Sequence, residues 1–354
     1  MLEENNNLNI NDTEEQQIKQ ENFDKAYNPY QYISEEYKKK RELRRLGVVI
    51  GIPVIFISII GYLWSIAYVF LTTNVVGMTM EEAIKFSENP AVQQILQIVL
   101  SCIMFLAPFT IAVKCIGLRI DQTVKFGKAK KGTFLPFLLF GIGFCSFSNI
   151  AMSYADQIFQ GFGIDYDVDF GDNPKGFFGF LLSFIATAIV PALVEEFACR
   201  GIVLELLKKY GQGFAIITSS IIFGIMHGNF EQIPFAILVG LILGYIYVKT
   251  GSIWTGVLVH GVNNAISVTF TYLQNTMSLN MQNLLYIVYL IISMLAAVIG
   301  ILLFAKKGDD NYNLIKHEDI ITNKEKYIYF FTSWAIIVFV VLNLIEAMSY
   351  FVIK

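Results

Sequence analysis

The sequence predicts an all-α fold, a polytopic transmembrane helix bundle with eight or nine spans. The 354 residues are 55% hydrophobic and only 16% charged, which is far too apolar for an ordinary soluble domain. Uncharged stretches of membrane-spanning length recur along the chain, and the loops between them alternate between lysine-rich and acidic. This alternation is typical of a multi-pass protein. We therefore expect the chain in the cell membrane, with the lipid bilayer as a partner.

The first part of the chain is predicted to be a polar arm that ends in a basic anchor. Residues 1–45 are rich in Asn, Gln and Glu and end in KKKRELRR at 38–45. We expect this arm to be disordered and the N-terminus to be cytoplasmic, because basic residues flank the cytoplasmic ends of spans. Residues 46–132 are predicted to contain the first two spans, at about 46–72 and 91–113, and a basic cytoplasmic loop.

Residues 133–305 are predicted to form the functional core. Its spans are expected at about 133–155, 176–207, 214–228, 234–248, 253–273 and 283–305. The span at 176–207 is longer than a ~30 Å hydrocarbon layer requires, so we expect it to tilt or to protrude. Gly240 and Gly244 form a GxxxG pair, which predicts close helix packing. Residues 306–354 are predicted to add a cytoplasmic loop and a last span at about 327–352.

Three charged residues lie inside one apolar stretch, in the sequence PALVEEFACR. They are Glu195, Glu196 and Arg200, and a charge at bilayer depth costs at least ~2.5 kcal/mol, so they should face the bundle interior. Residues four apart share a helix face, which predicts an ion pair between Glu196 and Arg200. Glu195 is then the carboxylate that is left free to act on a bound molecule. All three could instead only hold helices together, but one pair would suffice for that role.

Two of the three histidines lie inside predicted spans. These are His227 and His260, and His260 shares a helix face with Asn264, four residues later. At ~1.5 Å per residue, Glu195 and these side chains lie at similar depths. We therefore expect them to meet in one cavity, which should open toward the lysine-rich, cytoplasmic ends of the helices. His317 lies in a charged loop and is predicted to be a surface residue.

The residue types indicate an amide hydrolase. A carboxylate and an imidazole can share a water molecule, remove its proton and direct the hydroxide at a carbonyl group. A second imidazole and a side-chain amide can donate hydrogen bonds to the oxyanion that develops. Cys199 is a weaker nucleophile candidate, because the neighbouring Arg200 could activate it but no histidine shares its helix.

Three sequence blocks now resemble those of a known family. EExxxR begins at Glu195, FxxxH links Phe223 to His227, and HxxxN links His260 to Asn264. This order is similar to that of the CPBP family, which comprises the type II CAAX prenyl endopeptidases and their bacterial Abi, or bacteriocin-processing, relatives. The likeness covers about residues 130–305.

The resemblance implies an intramembrane endopeptidase that hydrolyses a peptide or protein substrate. It implies that Glu195 and His227 activate the water and that His260 and Asn264 form the oxyanion site. It also implies structural support of the site by the Glu196 and Arg200 pair. The implied substrate is a polypeptide, and no nucleic acid partner is predicted.

Cofactor use and two other functional classes stay open. Zinc is a possible cofactor, since Glu195, His227 and His260 could supply three ligands and leave a fourth position open. We favour a metal-free mechanism, because the sequence has no HExxH and a ligating Glu would leave no obvious base. A proton-coupled transporter and a noncatalytic bacteriocin-immunity or scaffold protein are the alternatives. The sequence shows no clear internal repeat of the kind that many transporters contain.

Overall fold

The computed structural model describes residues 29–166, 174–306, 313–315 and 318–353, and these residues are almost entirely helical. His317 and residues 1–28 of the predicted arm lie outside them. The described helices are α1 (Pro29–Asn74), α2 (Met80–Ser87), α3 (Pro90–Cys115), α4 (Ile120–Thr123), α5 (Phe134–Gly161), α6 (Gly176–Tyr210), α7 (Gln212–Ile225), α8 (Gln232–Thr250), α9 (Ile253–Gln274), α10 (Leu279–Ala305), α11 (Asn323–Phe331) and α12 (Trp334–Ser349). Two three-residue strands, β1 (Ile164–Tyr166) and β2 (Phe351–Ile353), pair antiparallel. The all-α class is thus confirmed.

Six of the described helices are long and apolar enough to cross a membrane, or seven if α11 and α12 count as one span. The six are α3, α5, α6, α8, α10 and the Ser34–Gly61 part of α1. Helix α7 has only 14 residues, and α9 is not among the candidates although it has 22. The chain therefore has the features of a multi-pass membrane protein, while the predicted total of eight or nine spans is not reached by length and composition alone.

The basic anchor differs from the prediction. Residues 29–45 were expected to belong to a disordered arm, but they continue into the first span as one helix, α1. Ion pairs explain this order, because Lys40 contacts Glu36 one helical turn earlier and also lies 2.7 Å from Glu325. Lys39 pairs with Asp319 in the same way. The anchor is therefore held as a helix by Asp319, which precedes α11, and by Glu325 in the first turn of α11.

The long helix α6 contains two π-helical segments. It is π-helical at Phe184–Ile189 and Phe197–Leu204, and α-helical between them at Val190–Glu196. The predicted extra length is present, because the helix has 35 residues. Short π segments inside α-helices are rare and frequently occur at functional sites.

Glycines let the core helices approach closely. A Cβ on Gly143 of α5 would lie 2.3 Å from the Cβ of Ala297 on α10, which is closer than two carbon atoms can come. The predicted GxxxG pair packs α8 against α7, where a Cβ on Gly240 would lie 3.0 Å from the Cβ of Ser220. These contacts fix α5 against α10 and α7 against α8.

The last predicted span is bent. Helices α11 and α12 meet at an angle of 72° around Thr332 and Ser333, where a single span at 327–352 was expected. The bend lies against Gly47 of α1, where an added Cβ would come within 2.4 Å of the Ser333 hydroxyl. The break between α11 and α12 therefore lies at the point where α1 approaches closely.

One end of the bundle carries many of the lysines. The backbone N–H of Lys130 donates to Thr250 at the end of α8, and that of Ile253 donates to Lys125. Lys125 Nζ also lies 3.7 Å from Glu205 near the end of α6. We refer to this side of the bundle as the lysine-rich end, defined by Lys125, Lys130, Lys208, Lys209 and Lys249.

Candidate active site

Helix α6 places two adjacent carboxylates in different surroundings. The Glu196 side chain is fully buried, and its Oε1 accepts a hydrogen bond from Arg200 Nη1 at 2.7 Å. This is the i,i+4 ion pair that the spacing predicts. The Glu195 side chain is 17% exposed and lines an interior cavity. Of the two carboxylates, Glu195 is therefore the one that a bound molecule could reach.

Arg200 is held by three different groups around its guanidinium. Beyond Glu196, its Nη2 donates to the Gly240 carbonyl at 3.3 Å, and the guanidinium lies 4.4 Å from the ring centroid of Phe223. A cation over an aromatic face gains electrostatic energy from the ring quadrupole. Phe223 also contacts His227 and His260 edge to face, at 5.1 and 5.8 Å. Phe223 therefore packs between the charged pair and both imidazoles.

His260 on α9 lies between the two carboxylates. Its Nδ1 is 3.2 Å from Glu196 Oε1, and its Nε2 is 3.8 Å from Glu195 Oε2. An ionised carboxylate only accepts hydrogen bonds, so Nδ1 carries a proton in this contact. Gly256, one turn earlier on α9, permits the approach, because a Cβ there would lie 2.9 Å from Glu196 Oε2. The orientation of the imidazole thus depends on Glu196.

His227 follows α7 and is oriented by its own backbone. Its Nδ1 lies 2.8 Å from the Phe223 carbonyl, which can only accept, so Nε2 is the nitrogen able to take up a proton. Gly228 follows with φ of +65°, which suits glycine. Asn229 then closes the turn, accepting from Gln232 N–H at 2.8 Å and donating to the His227 carbonyl at 2.9 Å. The start of α8 therefore fixes the His227 turn.

A chain of amides orients Asn264. Its amide nitrogen donates to the Thr187 carbonyl in the first π segment at 3.1 Å, so its Oδ1 accepts from Asn263 at 3.2 Å. Asn263 Oδ1 in turn accepts from Asn149 on α5 at 3.1 Å, and Asn149 also donates to the Cys145 carbonyl. The Thr187 and Cys145 carbonyls at the two ends can only accept, so they fix the amide nitrogens of Asn264 and Asn149. Both ends therefore set the same order of donation, from Asn149 through Asn263 to Asn264.

One cavity of about 610 Å³ brings the four predicted catalytic residues together. Glu195, His227, His260 and Asn264 all line it. Its volume lies within the usual range for ligand sites. The predicted supporting residues Glu196 and Arg200 are not lining residues, and they lie behind His260.

The direction of the cavity contradicts the sequence prediction. We expected an opening toward the lysine-rich end, but the lining extends along α9 to Gln274 and to Asn283 at the start of α10, at the opposite end. Aromatic packing gives the reason: Phe137 contacts Phe304 at 4.5 Å and Tyr245 at 5.8 Å, so α5, α8 and α10 are in contact near the lysine-rich end. Helix depth alone did not reveal where neighbouring helices separate.

The arrangement of these side chains supports a metal or a cysteine mechanism less well than a mechanism based on Glu195. Within the residues that the structure describes, no group of three or more His, Cys, Asp and Glu side chains could hold a metal ion. Glu195, His227 and His260 are therefore not arranged as the three zinc ligands that the sequence left possible. The Cys199 side chain is fully buried in the hydrophobic core and does not line the cavity.

The sequence reasoning missed two polar residues near the site. Asn149 lies in an otherwise apolar span, and Glu346 lies in the last helix, with its carboxylate 2.8 Å from where a Cβ on Gly228 would stand. A polar or charged residue within a span was the signal that identified Glu195, and it applied equally to both. Glu346 lies beside the turn that carries His227.

Comparisons with known proteins match part of the chain to a membrane peptidase family. Residues 177–266 match the sequence model of a family described as "Type II CAAX prenyl endopeptidase Rce1-like". A Bacillus subtilis (strain 168) protein named "Putative membrane peptidase YdiL" is 31% identical over 88 residues, which make up 25% of this chain and 36% of that protein. The chain therefore matches only about a third of the length of this relative. No solved structure matches the chain.

A helical bundle of membrane-spanning dimensions, with buried charges beside an interior cavity, defines a polytopic membrane protein with an intramembrane site. Residues 177–266 match the Rce1-like type II CAAX prenyl endopeptidase family, which is a protease family. This confirms the family predicted from the three sequence blocks. The matched residues contain all three blocks and run from the start of α6 to residue 266 in α9.

Proposed function

We propose that the chain is an intramembrane endopeptidase in which Glu195 acts as the general base. The observation that carries this proposal is the meeting of Glu195, His227, His260 and Asn264 in one cavity, with Glu195 3.8 Å from His260. A carboxylate that is partly exposed to a cavity within an apolar bundle can bind and deprotonate a water molecule. The family assignment of residues 177–266 supports the same reaction class.

The proposed reaction is hydrolysis of a peptide bond. Glu195 takes a proton from water as the oxygen attacks the carbonyl carbon, and the neighbouring His227 Nε2 helps to hold that water. The protonated Glu195 then gives the proton to the leaving amine as the C–N bond breaks. The products are a carboxylic acid and an amine, so all atoms and protons are accounted for.

His260 and Asn264 would stabilise the tetrahedral intermediate. The Asn264 amide uses one N–H on the Thr187 carbonyl and has a second N–H to donate to the oxyanion. His260 is bonded to Glu196 through Nδ1, so only Nε2 can turn to the substrate. When both of its nitrogens carry protons, Nε2 donates to the oxyanion. Glu196 and Arg200 would then orient His260.

We also propose that the predicted eight or nine spans and the topology hold in the membrane. Helices α7 and α9 pack inside the bundle, and α9 carries the polar side chains of the site, which explains why its hydropathy is low. The lysine-rich end and the N-terminus would be cytoplasmic by the positive-inside rule. The functional core would be residues 133–305.

Substitution of Glu195 by Gln tests the function. Loss of a general base should lower the rate of peptide cleavage by about 10²- to 10⁴-fold. The assay uses the purified protein in liposomes with a quenched-fluorescence peptide library, at equal amounts of protein. Glu81→Gln, which changes an exposed carboxylate on α2, is the matched control and should cleave normally.

Two results would contradict the proposal. One is normal cleavage by the Glu195→Gln protein, and the other is a wild-type protein that cleaves no peptide. The second result would favour a proton-coupled transporter or a noncatalytic immunity or scaffold protein, both of which can use buried charges.

A further inference from the structure

Polar side chains continue along α9 beyond the catalytic residues. His260, Asn264, Ser267, Thr271 and Gln274 all line the cavity, and their spacing of three or four residues places them on one helix face. Gln274 lies 14 residues after His260, so the stripe is about 21 Å long at 1.5 Å per residue. An extended peptide rises about 3.3 Å per residue, so roughly six residues match this length.

The facing wall belongs to α10 and is also able to form hydrogen bonds. Asn283, Tyr286 and Tyr289 line the cavity there, and the hydroxyl of Tyr289 contacts Ser146 of α5. Phe270 of α9 meets Tyr286 edge to face at 5.6 Å and so closes part of the gap between the two helices. The cavity is thus a passage between α9 and α10 that leads from the mouth to Glu195.

The lining fits an uncharged peptide segment. Seven of the lining side chains are asparagine or glutamine, whose amides can donate and accept as a peptide backbone requires. Among the lining residues that the structure describes there is no lysine or arginine, the usual partners of a free carboxylate. An isoprenoid chain along the α9 stripe would cover these polar groups without pairing them, which costs free energy.

Helix α8 contributes an apolar wall near the catalytic residues. Phe235, Ala236 and Val239 of α8 line the cavity beside His227 and His260. A single apolar side chain next to the scissile bond could pack there. This position suits a peptide that enters through the mouth and carries one apolar residue close to the end that reaches the catalytic residues.

The mouth lies at the end of the bundle opposite the lysine-rich end. Gln274 and Asn283 flank the α9–α10 turn, and Gln282 donates to the Gln274 and Met277 carbonyls within it. Lysine-rich ends of membrane bundles face the cytoplasm. The mouth therefore faces the exterior.

We propose that the cavity receives an extended, uncharged peptide segment from the exterior side, along the polar stripe of α9. This inference rests on the proposed function, because it names the substrate class of the same site. A prenyl group or a free carboxyl terminus is not needed for recognition in this passage.

Cysteine labelling tests the side of entry. Gln274→Cys and Lys128→Cys are introduced into a protein whose partly accessible Cys102 and Cys115 are replaced by serine. The probe is a membrane-impermeant maleimide linked to polyethylene glycol. In intact cells it should label Gln274→Cys and abolish cleavage, whereas Lys128→Cys should react only in inverted vesicles.

The outcomes separate this inference from the proposed function. An active protein whose Gln274→Cys reacts only in inverted vesicles, or reacts without loss of cleavage, overturns the inference and leaves the proposed function intact. A wild-type protein that cleaves no peptide overturns both.

A pair of isosteric variants tests the polar stripe. Thr271→Val removes a lining hydroxyl, whereas Thr269→Val removes a hydroxyl of the same helix that does not line the cavity. Both hydroxyls donate to the carbonyl four residues earlier, so the local change is matched. Thr271→Val should raise KM about two- to tenfold with kcat unchanged, as for one lost hydrogen bond. Equal KM values for the two variants would overturn the inference.

Three forms of one peptide test the substrate class. The peptide is supplied with a carboxamide end, with a free carboxylate, and with a farnesylated cysteine. Cleavage should be as fast for the carboxamide as for the carboxylate, and farnesylation should not accelerate it. Cleavage of the farnesylated form alone would overturn the inference.

Discussion

The Nδ1 atom of His260 lies 3.2 Å from Oε1 of Glu196, an oxygen that also accepts a hydrogen bond from Arg200. The three blocks of the sequence are thereby physically linked, because Arg200 also stacks on Phe223, which contacts both histidines. The buried ion pair thus does more than join two turns of α6, since it sets the direction of an imidazole on another helix.

The contact between α9 and Glu196 gives the first prediction. Gly256→Ala would place a Cβ 2.9 Å from Glu196 Oε2 and push the carboxylate away from His260. A misplacement of about 1 Å at a catalytic group can cost about 10²-fold in rate, so we expect kcat to fall by about 10- to 100-fold. Gly261→Ala is the control, because its Cβ would make an ordinary 3.6 Å contact with Ala192. Equal activity of both variants would show that this contact is unimportant.

The buried ion pair gives the second prediction. Glu196→Leu leaves Arg200, which is 1% exposed, without its carboxylate, and should destabilise the protein by about 3–5 kcal/mol. Adding Arg200→Met should recover most of this loss, because a hydrophobic pair can replace a buried ion pair. Thermal unfolding in detergent measures the stability. Cleavage should stay low in the double variant, since His260 still lacks its partner, and a fully active double variant would refute the positioning role.

The amide chain gives the third prediction. Asn149→Ala removes the donor to Asn263 and frees the Asn264 amide to rotate, so kcat should fall about fivefold or more with KM unchanged. Ser148→Ala is the control on the same helix, because its hydroxyl donates only to the Phe144 carbonyl among the contacts described. If Asn149 acts through Asn264, its effect should vanish in an Asn264→Ala background. Additive effects would contradict the chain.

Metal dependence gives the fourth prediction. Glu195, His227 and His260 do not form a three-ligand group in the described part of the chain, so cleavage should be insensitive to a chelator. Total metal analysis of the purified protein should find less than one zinc per chain. Stoichiometric zinc, with activity that a chelator removes and added zinc restores, would establish a metalloprotease instead.

The ion-paired carboxylate of Asp319 gives the fifth prediction. Burial alone would raise the pKa of Asp319, but the hydrogen bond from Lys39 and the charge of Lys326 together lower the pKa below its usual value. The stabilisation is therefore present above the unfolded-state pKa of about 3.9 and is lost as the pH falls through the lower folded-state pKa. Asp319→Asn should lower Tm at pH 7, because Lys326 is buried, and the difference from wild type should shrink near pH 3. A difference that does not depend on pH would exclude this pair as its origin.

The sequence was sufficient to predict which side chains meet in the cavity, but not in which direction the cavity extends. Glu195, His260 and Asn264 were found because polar groups are costly in an apolar span, and the i,i+4 pair of Glu196 with Arg200 followed from helix geometry. Hydropathy revealed nothing of the direction of the cavity, because that depends on where α9 separates from α10. The helical state of residues 29–45 was missed for a similar reason, since it depends on ion pairs with residues almost 300 positions away.

The two π segments of α6 have a consequence for how this helix tolerates length changes. Each wide turn holds one more residue than an α turn, and the first one carries the Thr187 carbonyl that accepts a hydrogen bond from Asn264. Deletion of one residue from Phe184–Ile189 would restore a regular α turn and shift the Thr187 carbonyl relative to Asn264. Helix α6 should therefore accept many substitutions at its lipid-facing positions and yet reject even the smallest deletion.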